Sequence, residues 1–177
     1  MTDEQLLQGC INKNVNAQKQ LYDRFAKKMM GVCLRYANCN EEAQDILQDG
    51  FIKVFDRIES FKATGSLEGW IKKVMVNTAL DNFRRKKHER NHISMDISEV
   101  RYEIHDEIHE AISAKELLGI IQKLPSGYRT VFNLYAIEGY DHKEISEMLG
   151  ITESTSKSQY SRARTYLQKA IQLEKIY

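Results

Sequence analysis

A chain of 177 residues has room for one domain or two small ones, and 42% apolar and 29% charged side chains give it material for packed cores under a well-solvated surface. One proline in the whole chain points to an all-helical protein, because a proline inside a helix removes a hydrogen bond and clashes with the preceding turn. No apolar run approaches the length of a membrane span, and Asp3 and Glu4 stand where a secretory signal would need basic residues, so no membrane insertion and a reduced, cytoplasmic setting are expected.

In chain order, the first helical stripe is Leu21, Phe25, Met29, Val32 and Tyr36, at steps of three and four. "ANCNEE" breaks it, and Asn40 is placed to cap the next helix, with acids in its first turn. That helix carries Ile46, Leu47, Phe51, Val54, Phe55 and Ile58 on one face, with Gly50 at the same height, and Asp45, Gln48, Asp49 and Asp56 on the other. "FKATGSLEGW" follows as a short loop in which Ser66 can cap a helix through Trp70, Ile71, Val74, Met75 and Thr78 that ends in "RRKKHER". Residues 88 to 110 are poor in apolar side chains and rich in acids, as in a linker. Ala111 to Leu124 is helical in pattern and stops before Pro125. Three more helices follow: Tyr128 to Glu138, His142 to Leu149 ended by Gly150, and one from about Glu153 to Ile171 capped by Thr152.

The net charge of +1 hides a pattern. From Trp70 to His92 seven Lys/Arg face two acids (net +5), from Ile93 to Lys123 three face seven (net −4), and from Ser154 onward five face one (net +4). Two basic blocks around an acidic one suggest two surfaces for polyanions. Cys10, Cys33 and Cys39 form no CxxC pair and read as small core residues; His105 and His109, four apart, lack further ligands of metal-site type.

The last helix is two-faced. Tyr160, Ala163, Leu167 and Ile171 face the preceding helices, while Lys157, Ser158, Ser161, Arg162 and Thr165 point away, as donors suited to the major groove or as an ordinary solvated face. On the earlier basic helix, Lys72, Lys73, Asn77 and Arg84 share one side, next to a loop with Phe61, Lys62, Thr64 and Ser66, a mix that suits an unpaired nucleotide. Its cations equally complement a helix C-terminus, and Trp70, the only tryptophan, either stacks on a base or packs in the core. The acidic face of the 41–58 helix would be repelled by phosphates; it is either solvated or meets a basic protein. No phosphate loop, nucleophile elbow or metal-ligand spacing occurs, so no enzyme, cofactor or metal is expected.

"LPSGYRTVFNLYAIEGYDHKEISEMLGITESTSKSQYSRARTYLQKAI" resembles region 4 of the bacterial sigma factors of the extracytoplasmic-function (ECF) class, with its L-P-x-x-x-R-x-V-F-x-L, G-x-x-x-x-E-I-A-x-x-L-G-I and T-V-K-S-R patterns. "EEAQDILQDGFIKVFDRIESF" and "GSLEGWIKKVMVNTALDNFRRKK" resemble the polymerase-binding and promoter-melting helices of region 2. The resemblance spans about residues 10 to 172. It implies an all-α protein of two small helical domains joined by a linker: region 2 over 1–90, an acidic linker over 91–110, and a helix-turn-helix region 4 over 111–177. It also implies a non-enzymatic sigma factor that binds core RNA polymerase and directs promoter-specific initiation. The implied partners are the β′ clamp helices and β flap of core polymerase, promoter DNA and an anti-sigma factor.

By position, Asp45, Gln48, Asp49 and Phe51 would meet core polymerase. Phe61, Lys62, Ser66, Trp70, Lys73, Asn77, Arg84 and Arg85 would meet the −10 element; Thr155, Lys157, Ser158, Gln159, Ser161, Arg162 and Arg164 would meet the −35 element. Three departures stand out. Ser156 replaces a usual valine, so an apolar contact is expected to be lost. Gln159 replaces a common arginine, which shifts the expected base preference from guanine toward adenine. Gly50 is expected to weaken its helix by up to about 1 kcal/mol against alanine. The alternatives are a stand-alone helix-turn-helix regulator, which leaves the acidic helix idle, and a helical interaction module that does not touch DNA.

Overall fold

The computed structural model describes residues 2–62, 64–92 and 113–175. The expected linker falls almost wholly outside them, as do His105 and His109. Among the described residues every regular element is helical, and no helix is long and apolar enough to cross a membrane. The chain divides by contacts into two units, Met1–Asn82 and Phe83–Tyr177.

The first unit opens with a helix that the apolar stripes do not reveal, α1 (Asp3–Ile11). A reciprocal capping box starts it: Thr2 Oγ1 accepts from the Gln5 amide and Gln5 Oε1 accepts from the Thr2 amide. Lys13 then turns through a left-handed conformation (φ 55°), and Asn14 caps α2 (Val15–Tyr36). All five residues of the expected α2 stripe are buried. The next helix, α3 (Asn40–Arg57), begins one residue earlier than expected: Cys39 holds the cap position and Asn40 lies inside the first turn. Instead of an Asn40 cap, the Glu42 carboxylate reaches back to accept from the Asn38 amide at 2.9 Å. Ile46, Leu47, Phe51 and Val54 of α3 bury against α2, and a single 3-10 turn (Ile58–Ser60) seals the end with Ile58.

Ser66 caps α4 (Leu67–His92) as expected, accepting from the Gly69 amide at 3.0 Å. Ile71, Met75, Val76 and Leu80 are its buried face. The helix runs through the expected RRKKHER end to His92, because Lys, Arg and Glu are good helix formers even without apolar support.

In the second unit, α5 (Ala114–Gln122) starts with a Ser113–Glu116 capping box and stops before Pro125. What reads as one helix from Tyr128 to Glu138 is α6 (Ser126–Phe132) followed by a wide π turn (Asn133–Ile137), in which the Glu138 amide donates to the Asn133 carbonyl five residues back. An Asp141–Glu144 capping box begins α7 (His142–Leu149), and Gly150 ends it in the left-handed conformation at φ 62°. Thr152 caps α8 (Glu153–Lys175), accepting from the Thr155 amide at 3.0 Å. Ile120, Ile121 and Leu124 close on Ala163 and Leu167 of α8. Val131, Leu134, Ile145 and Leu149 are buried with them in this unit. The pair α7–Gly150–α8 is a helix-turn-helix with α8 as its outer helix.

Candidate nucleic-acid interface

Ser156, Ala163 and Leu167 are the buried stripe of α8, with Tyr160 half-buried beside them. The opposite stripe, at steps of four, three and four, is Ser154, Ser158, Ser161 and Thr165, all exposed. Lys157 and Arg164 flank this hydroxyl stripe on one side, Arg162 and Lys169 on the other, and all four are exposed. A narrow row of hydroxyls between two rows of cations fits a groove floor between two phosphate backbones. Ser154 escapes motif reading, although its spacing to Ser158 and Ser161 is the signal that places it.

Two of the four cations, Lys157 and Arg162, are held before any ligand arrives. Lys157 Nζ lies 2.6 Å from Glu153 Oε1, one turn earlier, and that hydrogen bond and charge hold the Glu153 carboxyl below the usual carboxylate range. Arg162 Nη1 donates to the phenolic oxygen of Tyr128 on α6 at 3.1 Å. Two expected contact residues are turned away from the open face. Thr155 is half-buried, with Oγ1 2.8 Å from Thr152 Oγ1. Gln159 is half-buried too, and its side-chain amide lies where a Cβ on Gly127 would be only 3.5 Å away. So Gln159 fills the seam with α6 rather than the middle of the reading face.

The expected loss of an apolar contact at Ser156 takes another form. Its hydroxyl is fully buried, and its Oγ is 3.0 Å from His142 Nδ1. A polar contact has replaced the apolar one.

On α4, Trp70, Lys73 and Asn77 follow steps of three and four; Lys73 and Asn77 are exposed and Trp70 is half-buried. The Phe61 ring lies 5.7 Å from the Trp70 ring at 52°, so the loop and the helix join in one aromatic step. Trp70 is thus both packed and partly open. Lys62 is exposed, and Ser66 is engaged as the helix cap. Farther along α4, Arg85 is exposed, and exposed Arg84 donates through Nε and Nη2 to the Met148 carbonyl.

On α3, Asp45, Gln48, Asp49 and Asp56 are exposed on one side. Phe51 is not among them. It is 3% exposed and packs its ring 4.7 Å from Tyr22 and 6.0 Å from Phe55. The contact expected of Phe51 is therefore corrected: one position along a helix is a rotation of about 100°, which carries residue 51 into the core and residue 52 out. Ile52, 58% exposed, stands in the middle of the acidic face.

Two family models match the chain: Sigma-70 region 2 over residues 21–89 and Sigma-70, region 4 over residues 114–167. The RNA polymerase sigma-H factor of Pseudomonas aeruginosa is 27% identical over 186 aligned residues, covering 96% of this chain and 94% of that protein. The ECF RNA polymerase sigma-E factor of Haemophilus influenzae is 26% identical, covering 97% and 96%, and ECF RNA polymerase sigma factor SigW of Bacillus subtilis 28%, covering 88% and 89%. Among solved structures, the sigma factor RpoE bound to the anti-sigma factor NepR from Bartonella quintana is similar in fold, with a TM-score of 0.53, 20% identity, and 88% of this chain and 97% of that chain covered.

Proposed function

The chain belongs to the sigma-70 family as a factor of its extracytoplasmic-function class, and we propose that it grips a promoter at two places while bound to core RNA polymerase through α3. Its work is done by binding energy; no bond is made or broken by its side chains. The hydroxyl stripe of α8, with its flanking cations, enters the major groove of the −35 element. The Phe61–Trp70 step, with Lys62, Lys73 and Asn77 beside it, receives an unpaired base of the −10 strand, and Arg84 and Arg85 follow the phosphates. Asp45, Gln48, Asp49 and Ile52 face a basic polymerase surface in the cytoplasm, where core enzyme works. A similar fold solved with an anti-sigma factor bound supports an anti-sigma partner for this chain as well.

The observation that carries this reading is the α8 surface: a stripe of four exposed hydroxyls, of which Ser158 and Thr165 donate back to the carbonyls of Thr155 and Ser161, opposite an equally regular buried stripe. Run-off transcription with purified chain and core polymerase tests it. Promoter-specific transcripts are expected, and no gain over core alone overturns the reading. Charge reversal at Asp45 and Asp49 separates polymerase binding from DNA binding. It is expected to abolish association with core and to leave duplex binding intact.

A further inference from the structure

Ser156 is the anomaly of α8. A buried hydroxyl without a partner loses its hydration and gains nothing in return. Here the partner is His142, the first residue of α7, through an Nδ1–Oγ contact of 3.0 Å. The imidazole is itself fixed. It stacks on Tyr135 of the π turn with ring centroids 4.4 Å apart and planes 13° apart, and meets the edge of Tyr160 of α8 at 5.8 Å. Tyr135 and Tyr160 lie 4.5 Å from each other, so the imidazole belongs to a cluster of three rings beside the polar contact. The hydroxyl can donate to a bare Nδ1 or accept from a protonated one, so the contact holds in either tautomer.

The two partners sit on the two helices whose crossing aims the reading face. Ser156 lies between Ser154 and Ser158 of the hydroxyl stripe and is followed at once by Lys157. Two apolar side chains at this crossing could slide over one another at little cost. A hydrogen bond tolerates only a few tenths of an ångström and a narrow range of angles. We propose that the His142–Ser156 contact is a latch that fixes the pose of α8, making His142 a positioning residue for promoter selection that touches no DNA. This inference rests on the reading of α8 as the −35 helix.

The test uses the full chain and a randomised duplex library, from which the enriched sequences give a preference profile. His142→Phe keeps the aromatic stack and removes Nδ1. His142→Asn keeps a polar atom close to the Nδ1 position and loses the stack. His142→Phe with Ser156→Val replaces the polar pair by an apolar one. For His142→Phe, affinity for the preferred duplex should fall about tenfold, or about 1.4 kcal/mol of binding, and the profile should flatten, because the reading face is no longer held in one pose. Core polymerase binding should not change. His142→Asn should recover to within about threefold, and the double variant should bind better than the product of its two single losses predicts. A His142→Phe variant that melts earlier but keeps the wild-type profile overturns the latch, as do single losses that simply multiply. A wild-type chain that enriches no sequence sinks the reading of α8 and the latch with it; with wild type selective, the other two outcomes sink the latch alone.

Discussion

Met75 Sδ occupies the space that a Cβ on Gly50 would need, so α3 crosses α4 at its one residue without a side chain. Both residues are buried, Met75 completely. On propensity alone, Gly50→Ala would stabilise α3 by up to about 1 kcal/mol. Met75 is completely buried, so its displaced Sδ and Cε must find room inside the core, and a net loss of about 1–3 kcal/mol is expected. Urea unfolding checks this, with Gly50→Ala/Met75→Val expected to win back part of the loss. A Gly50→Ala variant as stable as wild type would mean that the core gives way there at no cost.

Gly50 also illustrates what a sequence conceals. As a residue it reads as a weakness; its use lies in a helix 25 positions away. Ser156 is the same case, since its partner His142 sits on another helix and no periodicity links them. The apolar stripes of α2, α3 and α8 are legible because helical repeats are local, and so are Ser66, Thr152 and Gly150 as helix ends. Phe51 shows that reading prevailing over a positional match: the apolar stripe places it in the core, where it lies, while the resemblance alone assigns it a surface contact that the neighbouring Ile52 is exposed to make. The helix α1 carries a plain T-x-x-Q box and apolar residues at Leu6, Leu7, Cys10 and Ile11, but nine residues span too few turns for the repeat to stand out. Tyr135 belongs to a π turn that a 3.6-residue pattern cannot distinguish from α-helix.

Arg129 is a long cation only 1% exposed, and its Nη1 donates at 2.8 Å to the carbonyl of Gln122, the last residue of α5. The side chain thus closes the end of one helix from the first turns of another. Arg129→Ala removes that donor and opens a cavity, and should destabilise the second unit by about 2–5 kcal/mol. Arg129→Lys should recover little of this, because an ammonium cannot reproduce the planar fork. Thermal melts followed by circular dichroism, with the variant's binding to a −35 duplex measured below its midpoint, check both statements.

Burial pushes the Cys33 thiol up to about 12 from 9.0, the first cause being desolvation. The thiolate is the reactive form, so at pH 8 Cys33 should resist alkylation in the folded chain, while exposed Cys39 should be labelled first. Mass spectrometry after a brief iodoacetamide pulse reads the difference. The same shift gives a direction for stability. Above pH 9 the unfolded chain loses the Cys33 proton before the folded chain does, so stability is full below that pH and declines as pH rises toward 12. Cys33→Ala should remove this part of the alkaline decline.

Phe51 and Ile52 should separate fold from binding. Phe51→Ala opens a hole between Tyr22 and Phe55 and should destabilise the first unit by about 3–5 kcal/mol. Ile52→Ala removes an exposed side chain and should leave the melting temperature nearly unchanged. If the acidic face of α3 meets core polymerase, Ile52 is an apolar centre within a charged rim, and its loss should weaken core binding by about 1–2 kcal/mol. Titration of labelled chain with core polymerase measures this. Unchanged core affinity in Ile52→Ala would move the interface off this face.

Arg162 is steered by the Tyr128 hydroxyl, which accepts from its Nη1. Tyr128→Phe keeps the ring against the core and deletes only that acceptor. Arg162 remains charged but loses its fixed direction, so affinity for a −35 duplex should fall by a modest factor, about threefold, with stability unchanged. Salt dependence then tells what Arg162 touches. A phosphate contact contributes about one to the slope of log affinity against log salt, whereas a base contact is read as sequence preference. Arg162→Ala should lower the slope by about one if the guanidinium lies on a phosphate, as its place on the flank of the hydroxyl stripe suggests. Tyr128→Phe should keep the full slope, because the charge is still there. A Tyr128→Phe variant whose slope falls as far as that of Arg162→Ala would show that the cation reaches DNA only when the phenol holds it.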